Sequence, residues 1–195
     1  KSTIQYTTGY FKKLKRLIIG ERKNILNKPM AVALDRENTI YVCDAGEPSV
    51  HIFMQKQRKY KRITAINKEE LLSPVGVAVA DNGLVFIADS KLKKVFCIDN
   101  QRRIKFAITK DNKFLRPTGL AVSKGRLYVA DTPAHNISVF DLKGNFIREF
   151  GGKGKGEGEF NYPTALSADR EGKIYVIDAL NFRKQVFDEN NKFLY

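Results

Sequence analysis

Four aspartates, each at the end of an apolar run, are the residues whose type and spacing first suggest chemistry. Asp44, Asp89, Asp131 and Asp178 are separated by 45, 42 and 47 residues. Carboxylates would suit a metal site or acid–base catalysis if the fold brought them together. Each one precedes a polar turn, however, where an aspartate side chain commonly accepts backbone N–H groups. Because the same aspartate recurs four times along the chain, structural turn caps are favoured over catalysis.

The other residues that could bind a metal or catalyse a reaction are few. His51 and His135 are the two histidines, and Cys43 and Cys97 are the two cysteines. Both cysteines lie inside apolar strand patterns, which predicts buried thiols and leaves their redox state open. No Ser-His-Asp or Cys-His arrangement is present. We therefore predict no catalytic residue, no cofactor and no metal.

A glycine-rich stretch, "GGKGKGEGEF" at 151–160, invites a phosphate-loop interpretation. A phosphate loop requires a strand before it and a helix after it, so that backbone N–H groups and the helix dipole point at the phosphate. The following residues, "NYPTALSAD", predict a strand instead. We expect a loop between repeat units, with Phe160 packed against the neighbouring unit.

Prolines mark an internal repeat that keeps step with the aspartates. Pro29, Pro74, Pro117 and Pro163 are separated by 45, 43 and 46 residues. Each proline opens a unit of four short runs rich in Val, Ile, Tyr and Phe, and turn residues separate the runs. Four strands in a unit of this length are typical of a β-propeller blade.

The predicted fold is therefore all-β, a β-propeller of four-stranded antiparallel blades. The predicted blades, numbered 1 to 4 below, cover residues 28–66, 73–109, 116–151 and 162–195. One blade cannot bury both of its faces, so successive blades must pack around a common axis. The first strand of each blade is expected to be innermost, and the charged fourth strand outermost.

The pattern of a proline, small residues, "YVAD", a polar turn and "QVFD" resembles the NHL repeat. Asn181 and Arg183 lie where that repeat has its Asn-His-Arg, and His135 with Asn136 is a looser match. The resemblance covers residues 28–195. Blades 3 and 4 look most like bacterial exported NHL-repeat proteins, whereas the turn of blade 1, in "DAGEPSVHIFMQKQRKYKRI", departs from the pattern.

NHL propellers usually have about six blades, and this sequence has four recognisable ones. A further strand, "GYFKKLKRLIIG" at 9–20, looks like the outer strand of a preceding or closing blade. Residues 1–195 are thus expected to form a single incomplete propeller, to be closed by missing blades or by another chain. The alternative is a four-bladed ring that this strand closes.

The net charge of +14 is concentrated in the first part of the chain. Residues 1–110 carry 22 Lys and Arg against 10 Asp and Glu, whereas residues 111–195 carry 13 against 11. Such a field attracts nucleic acid, acidic proteins and anionic lipid head groups. No window approaches the roughly 18 consecutive apolar residues of a membrane helix, so no membrane span is expected.

The resemblance implies where a partner would bind, because NHL propellers generally bind partners on the face formed by the turns between the second and third strands. "SKLKK" at 90–94 lies there, whereas "KKLKR" at 12–16 and "QKQRKYKR" at 55–62 belong to the rim. The predicted partner-binding residues on that face are Lys28, Lys91, Lys93, Lys94, Arg116, His135, Tyr162, Phe182 and Arg183.

These observations predict a non-enzymatic interaction scaffold, either in the bacterial envelope, including the periplasm and cell surface, or outside the cell. Its partner would be an acidic protein or an anionic cell-surface polymer. The resemblance implies two alternatives: single-stranded RNA binding, as in some animal NHL propellers, and a metal-dependent lyase or lactonase. Two histidines and turn-capping aspartates do not supply the metal ligands that such enzymes use.

Overall fold

The computed structural model describes residues 25–109 and 114–195, and the strand predicted over 9–20 lies outside these ranges. The described residues form seventeen β-strands and two short 3₁₀ turns, at Thr132–Ala134 and Ala179–Asn181. No helix of the described residues is long and apolar enough to cross a membrane. The predicted all-β class is confirmed.

Antiparallel sheets follow one another along the chain, and each contains consecutive strands. The strands of blade 1 are β1 (Pro29–Leu34), β2 (Thr39–Asp44), β3 (Ser49–Met54) and β4 (Lys59–Ile63). A short hairpin of β5 (Ala65–Ile66) and β6 (Glu69–Glu70) follows. The strands of blade 2 are β7 (Pro74–Val79), β8 (Val85–Asp89), β9 (Lys94–Ile98) and β10 (Ile104–Ile108).

The second half of the chain repeats this order. The strands of blade 3 are β11 (Pro117–Ser123), β12 (Arg126–Asp131), β13 (Asn136–Asp141) and β14 (Phe146–Gly151). Those of blade 4 are β15 (Pro163–Ala168), β16 (Ile174–Asp178) and β17 (Arg183–Phe187). The predicted fourth strand of blade 4 is present only as a bridge between Phe187 and Phe193.

The prolines and aspartates that keep step in the sequence are cross-strand partners in the structure. Pro74, for example, lies opposite Asp89, and a register shift follows between Pro74 and Gly76. The same pairing and shift occur at the equivalent prolines of the other three blades. Proline has no N–H to donate, so it fits the end of the ladder, where the strand begins.

Apolar clusters lie between successive blades and hold them together. One joins blades 1 and 2, the next joins blades 2 and 3, and the third joins blades 3 and 4. The innermost strands approach closely: a Cβ placed on Gly119 of β11 would lie 2.7 Å from the Thr164 carbonyl oxygen, and one on Gly76 of β7 would collide with the Thr118 carbonyl oxygen. Small residues are therefore required where the blades crowd.

Cys43 and Cys97 are free and fully buried within these clusters. Burial raises the pKa of both thiols, that of Cys97 to about 12. Each thiol therefore stays protonated at neutral pH and packs as a small apolar side chain.

The outer face of blade 1, which points away from blade 2, has no described neighbour packed against its innermost strand. Val32 of β1 is 68% exposed, whereas Val77 and Leu120, at the equivalent positions of β7 and β11, are 6% and 7% exposed. Val77 points back towards blade 1, and Leu120 points back towards blade 2. By the repeat, Val32 points to where a preceding blade would pack.

Candidate partner-binding face

Two kinds of segment meet at one face of the blades. The first kind is the turn between the second and third strands, at 45–48, 90–93, 132–135 and 179–182. The second kind is the pair of residues before each first strand, at 27–28, 72–73, 115–116 and 161–162. They meet because each proline lies opposite the aspartate that ends the second strand. We call this surface the aspartate face, and the opposite surface, made by the remaining hairpins, the hairpin face.

Buried carboxylates tie the two kinds of segment together. Asp89 is fully buried and accepts four backbone N–H groups at 2.8–3.1 Å. Two of the donors precede β7 and two belong to the turn after β8; they are Leu72, Ser73, Lys91 and Leu92. The carboxylate therefore replaces the missing backbone partners of two segments that are far apart in sequence.

Asp44 has the same arrangement in blade 1, with four backbone donors at 2.6–3.4 Å. Burial by itself would raise the pKa of this carboxyl, but the N–H groups of Lys28, Asn27, Gly46 and Glu47 stabilise the carboxylate. The net pKa of Asp44 lies below its usual value. The four N–H groups thus find a charged acceptor at neutral pH.

Blades 3 and 4 vary this scheme. Asp131 accepts the N–H groups of Leu115 and Arg116, at 2.9 and 2.8 Å. Asp178 accepts the N–H of Asn161 at 2.6 Å. Its other oxygen accepts bonds from two side chains, the Asn181 amide at 2.8 Å and the Arg183 Nε at 2.9 Å.

Arg183 binds the chain itself. Its guanidinium donates to the carbonyl oxygens of Lys155, Gly156 and Glu159, at 2.7–2.8 Å, as well as to Asp178. The glycine-rich stretch is therefore held as a loop between blades 3 and 4. Phe160, at its end, is fully buried in the cluster that joins these blades, as predicted from the sequence.

The predicted lysines of blade 2 differ in their availability. The Lys94 Nζ lies 2.6 Å from a Glu69 carboxylate oxygen, and both side chains are partly exposed. Lys91 and Lys93 are exposed, as are Lys28 in blade 1 and Arg116 in blade 3. Among the described residues, Lys28, Lys91, Lys93 and Arg116 have no salt-bridge partner.

His135 and Tyr162 form a contact between blades 3 and 4. Their rings meet edge to face with centroids 5.0 Å apart, and the Tyr162 N–H donates to the His135 Nδ1 at 3.3 Å. His135 is 9% exposed, and Tyr162 is 36% exposed. His135 thus positions Tyr162 on the aspartate face and offers little surface itself. His51, in contrast, is buried inside blade 1, where burial lowers its pKa and Tyr60 and Ser49 bind its ring nitrogens.

Exposed leucines on this face were missed by the sequence analysis. Leu72 and Leu115, two residues before their prolines, are 44% and 51% exposed, and Leu180, two residues after Asp178, is 52% exposed. Phe182, which was predicted to lie here, is 92% exposed. The positions of the leucines relative to the repeated prolines and aspartates could have revealed them, because those positions determine which side chains point to solvent.

A cavity of about 380 Å³ lies at the hairpin face between blades 1 and 2, and none of the predicted site residues lines it. The Arg36–Asp81 pair, at 2.8 Å, lies at this cavity. Burial and the neighbouring Asp35 carboxylate raise the pKa of Tyr41 to about 12. The described residues contain no group of three or more His, Cys, Asp or Glu side chains that could hold a metal ion.

Residues 86–188 match the family model described as "6-bladed beta-propeller". The chain belongs to this family. Its β-sheets and its relatives identify it as an NHL-type propeller.

Two animal proteins are similar in sequence over most of this NHL-type propeller. It is 25% identical over 174 residues to protein brain tumor of Drosophila melanogaster, and 27% identical over 180 residues to B-box type zinc finger protein ncl-1 of Caenorhabditis elegans. Each match covers 86% of this chain but only 15% and 18% of the relatives. The bacterial resemblance stays a prediction.

Solved propellers share the fold of this chain. Virginiamycin B lyase from Staphylococcus aureus superposes with a TM-score of 0.72 at 14% identity, covering 89% of this chain and 57% of that one. A gluconolactonase from Xanthomonas campestris gives a TM-score of 0.65 at 18% identity, covering 85% and 60%. At these identities the likeness concerns the fold alone.

Proposed function

We propose that this propeller is a non-catalytic interaction scaffold whose aspartate face binds an acidic protein partner. The observation that supports this most is the exposure of Lys28, Lys91, Lys93 and Arg116 on turns whose backbones are held by buried carboxylates. Turns that are already ordered lose little entropy when a partner binds. Exposed cations attract an oppositely charged surface and speed its approach.

We place this scaffold in the bacterial envelope or outside the cell, where an anionic cell-surface polymer would be a second acidic ligand. The support is the resemblance of blades 3 and 4 to bacterial exported NHL-repeat proteins. Cell fractionation with detection of the protein tests this location. Recovery in the cytoplasmic fraction alone would contradict it.

Single-stranded RNA is the second candidate ligand for the same face. The observation in its favour is that two aromatic side chains, Tyr162 and Phe182, are exposed on the same face as the cations. Cations that contact phosphates and rings that stack on bases are the usual elements of such sites.

A metal-dependent lyase or lactonase is the third candidate, and fold similarity is its only support. Metal analysis of the purified protein, followed by a hydrolysis assay with lactone substrates, tests it. A divalent metal bound at a one-to-one ratio together with turnover would replace the scaffold proposal.

We also propose that the outer face of blade 1 is covered by another blade, from the same polypeptide or another chain. Val32 is 68% exposed where the equivalent Val77 and Leu120 are buried, and the family is six-bladed. Leaving such an apolar face open favours association.

Charge reversal on the two faces tests the proposed function. The probe is a 20-residue poly-glutamate peptide, and a 20-nucleotide poly-uridine RNA is the comparison ligand. We expect poly-glutamate to bind with an affinity that falls as salt rises, and Lys91→Glu with Lys93→Glu to weaken it about tenfold or more.

The matched control is Lys124→Glu with Lys143→Glu, two exposed lysines of the hairpin face. It changes the net charge equally, so it should leave the affinity within about twofold of the wild type. Absence of binding, or equal losses in both variants, would contradict the proposal. Stronger binding of the RNA, lost in the same variant, would favour the second candidate.

A further inference from the structure

Among the described residues, the most exposed large apolar side chain is an aromatic ring on a hydrogen-bonded turn. Phe182 is 92% exposed and follows the 3₁₀ turn Ala179–Asn181. Its φ of 51° lies in the left-handed region, which a bulky residue rarely occupies. The equivalent residues of blades 2 and 3, Lys93 and His135, have φ angles of 55° and 58°. The backbone conformation is thus shared, whereas the protruding phenylalanine is particular to blade 4.

Hydrogen bonds on both sides of Phe182 hold this turn in place. The Asn181 amide donates to the Asp178 carboxylate and to the Gly154 carbonyl oxygen, both at 2.8 Å. The Leu180 N–H donates to the Asn161 carbonyl oxygen at 2.9 Å, and Arg183 binds the loop beside it. The backbone that carries the ring is therefore fixed, which lowers the entropic cost of burying the ring against a partner.

Other exposed apolar side chains lie on the same face as Phe182 and form an apolar surface with it. Leu180 lies on the same turn as Phe182, and Tyr162 is connected to that turn by the hydrogen bond from the Ala179 N–H to its carbonyl oxygen, at 3.2 Å. Leu115 of the neighbouring blade is 51% exposed. Leucine side chains cannot stack on bases, so this surface favours protein side chains over RNA.

Exposed cations lie on the same face as this apolar surface. Arg116 is adjacent to Leu115 in sequence, and Lys91 and Lys93 belong to the turn of blade 2. An apolar centre with a charged border is the usual composition of a protein–protein interface. Aromatic anchors at such a centre account for most of the binding energy in many complexes.

We infer that the aspartate face takes an acidic peptide segment that carries a large apolar side chain, and that Phe182 and Leu180 are its anchor. This inference rests on the proposed function, since it names the chemistry of the partner at the same site. Carboxylates of the segment would contact Lys91, Lys93 and Arg116, and its apolar side chain would cover the ring of Phe182.

Two peptides of equal length and charge test the inference. One contains glutamates interspersed with glycines, and in the other phenylalanine and leucine replace the glycines. We expect the apolar peptide to bind the wild-type protein about tenfold more tightly, as burial of one large side chain allows. Phe182→Asn should remove this advantage, and asparagine tolerates the left-handed backbone.

Phe146→Asn is the matched control, because Phe146 is 52% exposed at the beginning of β14 on the hairpin side. It should keep the full preference for the apolar peptide. Thermal unfolding of both variants checks that each one is folded.

Equal binding of both peptides to the wild type, with loss in Lys91→Glu and Lys93→Glu, would overturn this inference and leave the proposed function standing. A preference that survives Phe182→Asn would likewise overturn it. Binding of neither peptide would overturn both proposals.

Discussion

Aspartates cap turns on both faces of the propeller, but the two sets join groups at different distances along the chain. On the aspartate face, Asp89 binds N–H groups located 17 and 16 residues before it as well as groups in its own turn. On the hairpin face, Asp141 binds the N–H groups of Lys143 and Asn145, two and four residues later. The first set fixes the join between two strands, and the second fixes only a hairpin.

The difference teaches which face is suited to present a binding surface. A local turn cap can open and let water replace its hydrogen bonds, because its donors are exposed. The hydrogen bonds of a buried carboxylate that joins two segments cannot be broken unless the segments move apart. The backbone of the aspartate face is therefore held more rigidly than that of the hairpin face.

The largest expected effect comes from removing a buried carboxylate. Asp89→Ala leaves four backbone N–H groups without their acceptor, and we expect a loss of about 3 kcal/mol in the free energy of unfolding. Urea denaturation measures this loss. Asp89→Asn keeps one acceptor oxygen, so its loss in the free energy of unfolding should be smaller than that of Asp89→Ala.

Asp141→Ala is the comparison on the hairpin face, and its loss should be several times smaller. Equal losses from Asp89→Ala and Asp141→Ala would break the distinction between the two faces.

Arg183→Ala should have the next largest effect, about 2 kcal/mol in the free energy of unfolding, because it removes three hydrogen bonds to carbonyl oxygens of the loop 152–160 and one to the Asp178 carboxylate. Trypsin should then cleave at Lys153 or Lys155 faster than in the wild type. The control is Arg103→Ala, whose guanidinium is exposed and pairs with Asp99 within one hairpin. Unchanged cleavage in Arg183→Ala would show that the loop stays ordered without the hydrogen bonds of Arg183.

Acid should weaken the aspartate face through Asp44, whose pKa is lowered in the folded state. A lowered folded-state pKa means that the unfolded chain binds the proton more readily. The stabilisation is therefore complete above the pKa of the unfolded state, about 4, and is lost as pH falls through the folded-state pKa.

Urea denaturation between pH 6 and pH 3 measures this dependence, and Asp44→Asn should flatten it. Hydrogen bonds with Arg103 and Gln101 also lower the pKa of Asp99 on the hairpin face. Asp99→Asn should flatten the curve less, since its donors are exposed. A larger flattening in Asp99→Asn would argue against the comparison.

The smallest effect is expected at the Arg36–Asp81 pair of the hairpin face, whose side chains are 75% and 87% exposed. Arg36→Ala should change the free energy of unfolding by less than about 0.5 kcal/mol, because solvent screens exposed ion pairs. Thermal unfolding at low and high salt measures it. A loss comparable to that of Arg183→Ala would show that this face also depends on its ion pairs.

Much of the fold could be predicted from the sequence because its markers repeat. Each proline marks the start of a first strand, and each aspartate marks the end of a second strand. Apolar runs after the turns mark the third strands. The hairpin of β5 and β6 was not predicted, because two-residue strands leave no period to detect.

The candidate site was predictable only in part. Phe182 and Tyr162 were expected on the aspartate face, and both are exposed; their role in binding a partner stays a prediction. The sequence did not indicate that Lys94 pairs with Glu69 or that Arg183 binds the loop 152–160. Both contacts join residues about 25 positions apart, and a repeat pattern carries no information about such pairs.

The sequence by itself determined the repeat, the strand order and the excess of positive charge, since each of these is a property of residue type and spacing. Tertiary structure decided which cations are available, since folding brings the Glu69 carboxylate to Lys94 and the Asp178 carboxylate to Arg183. Lys91, Lys93 and Arg116 stay exposed. Tertiary structure also decided that Val32 is exposed and Val77 is not, because burial depends on whether a neighbouring blade is there to cover the side chain.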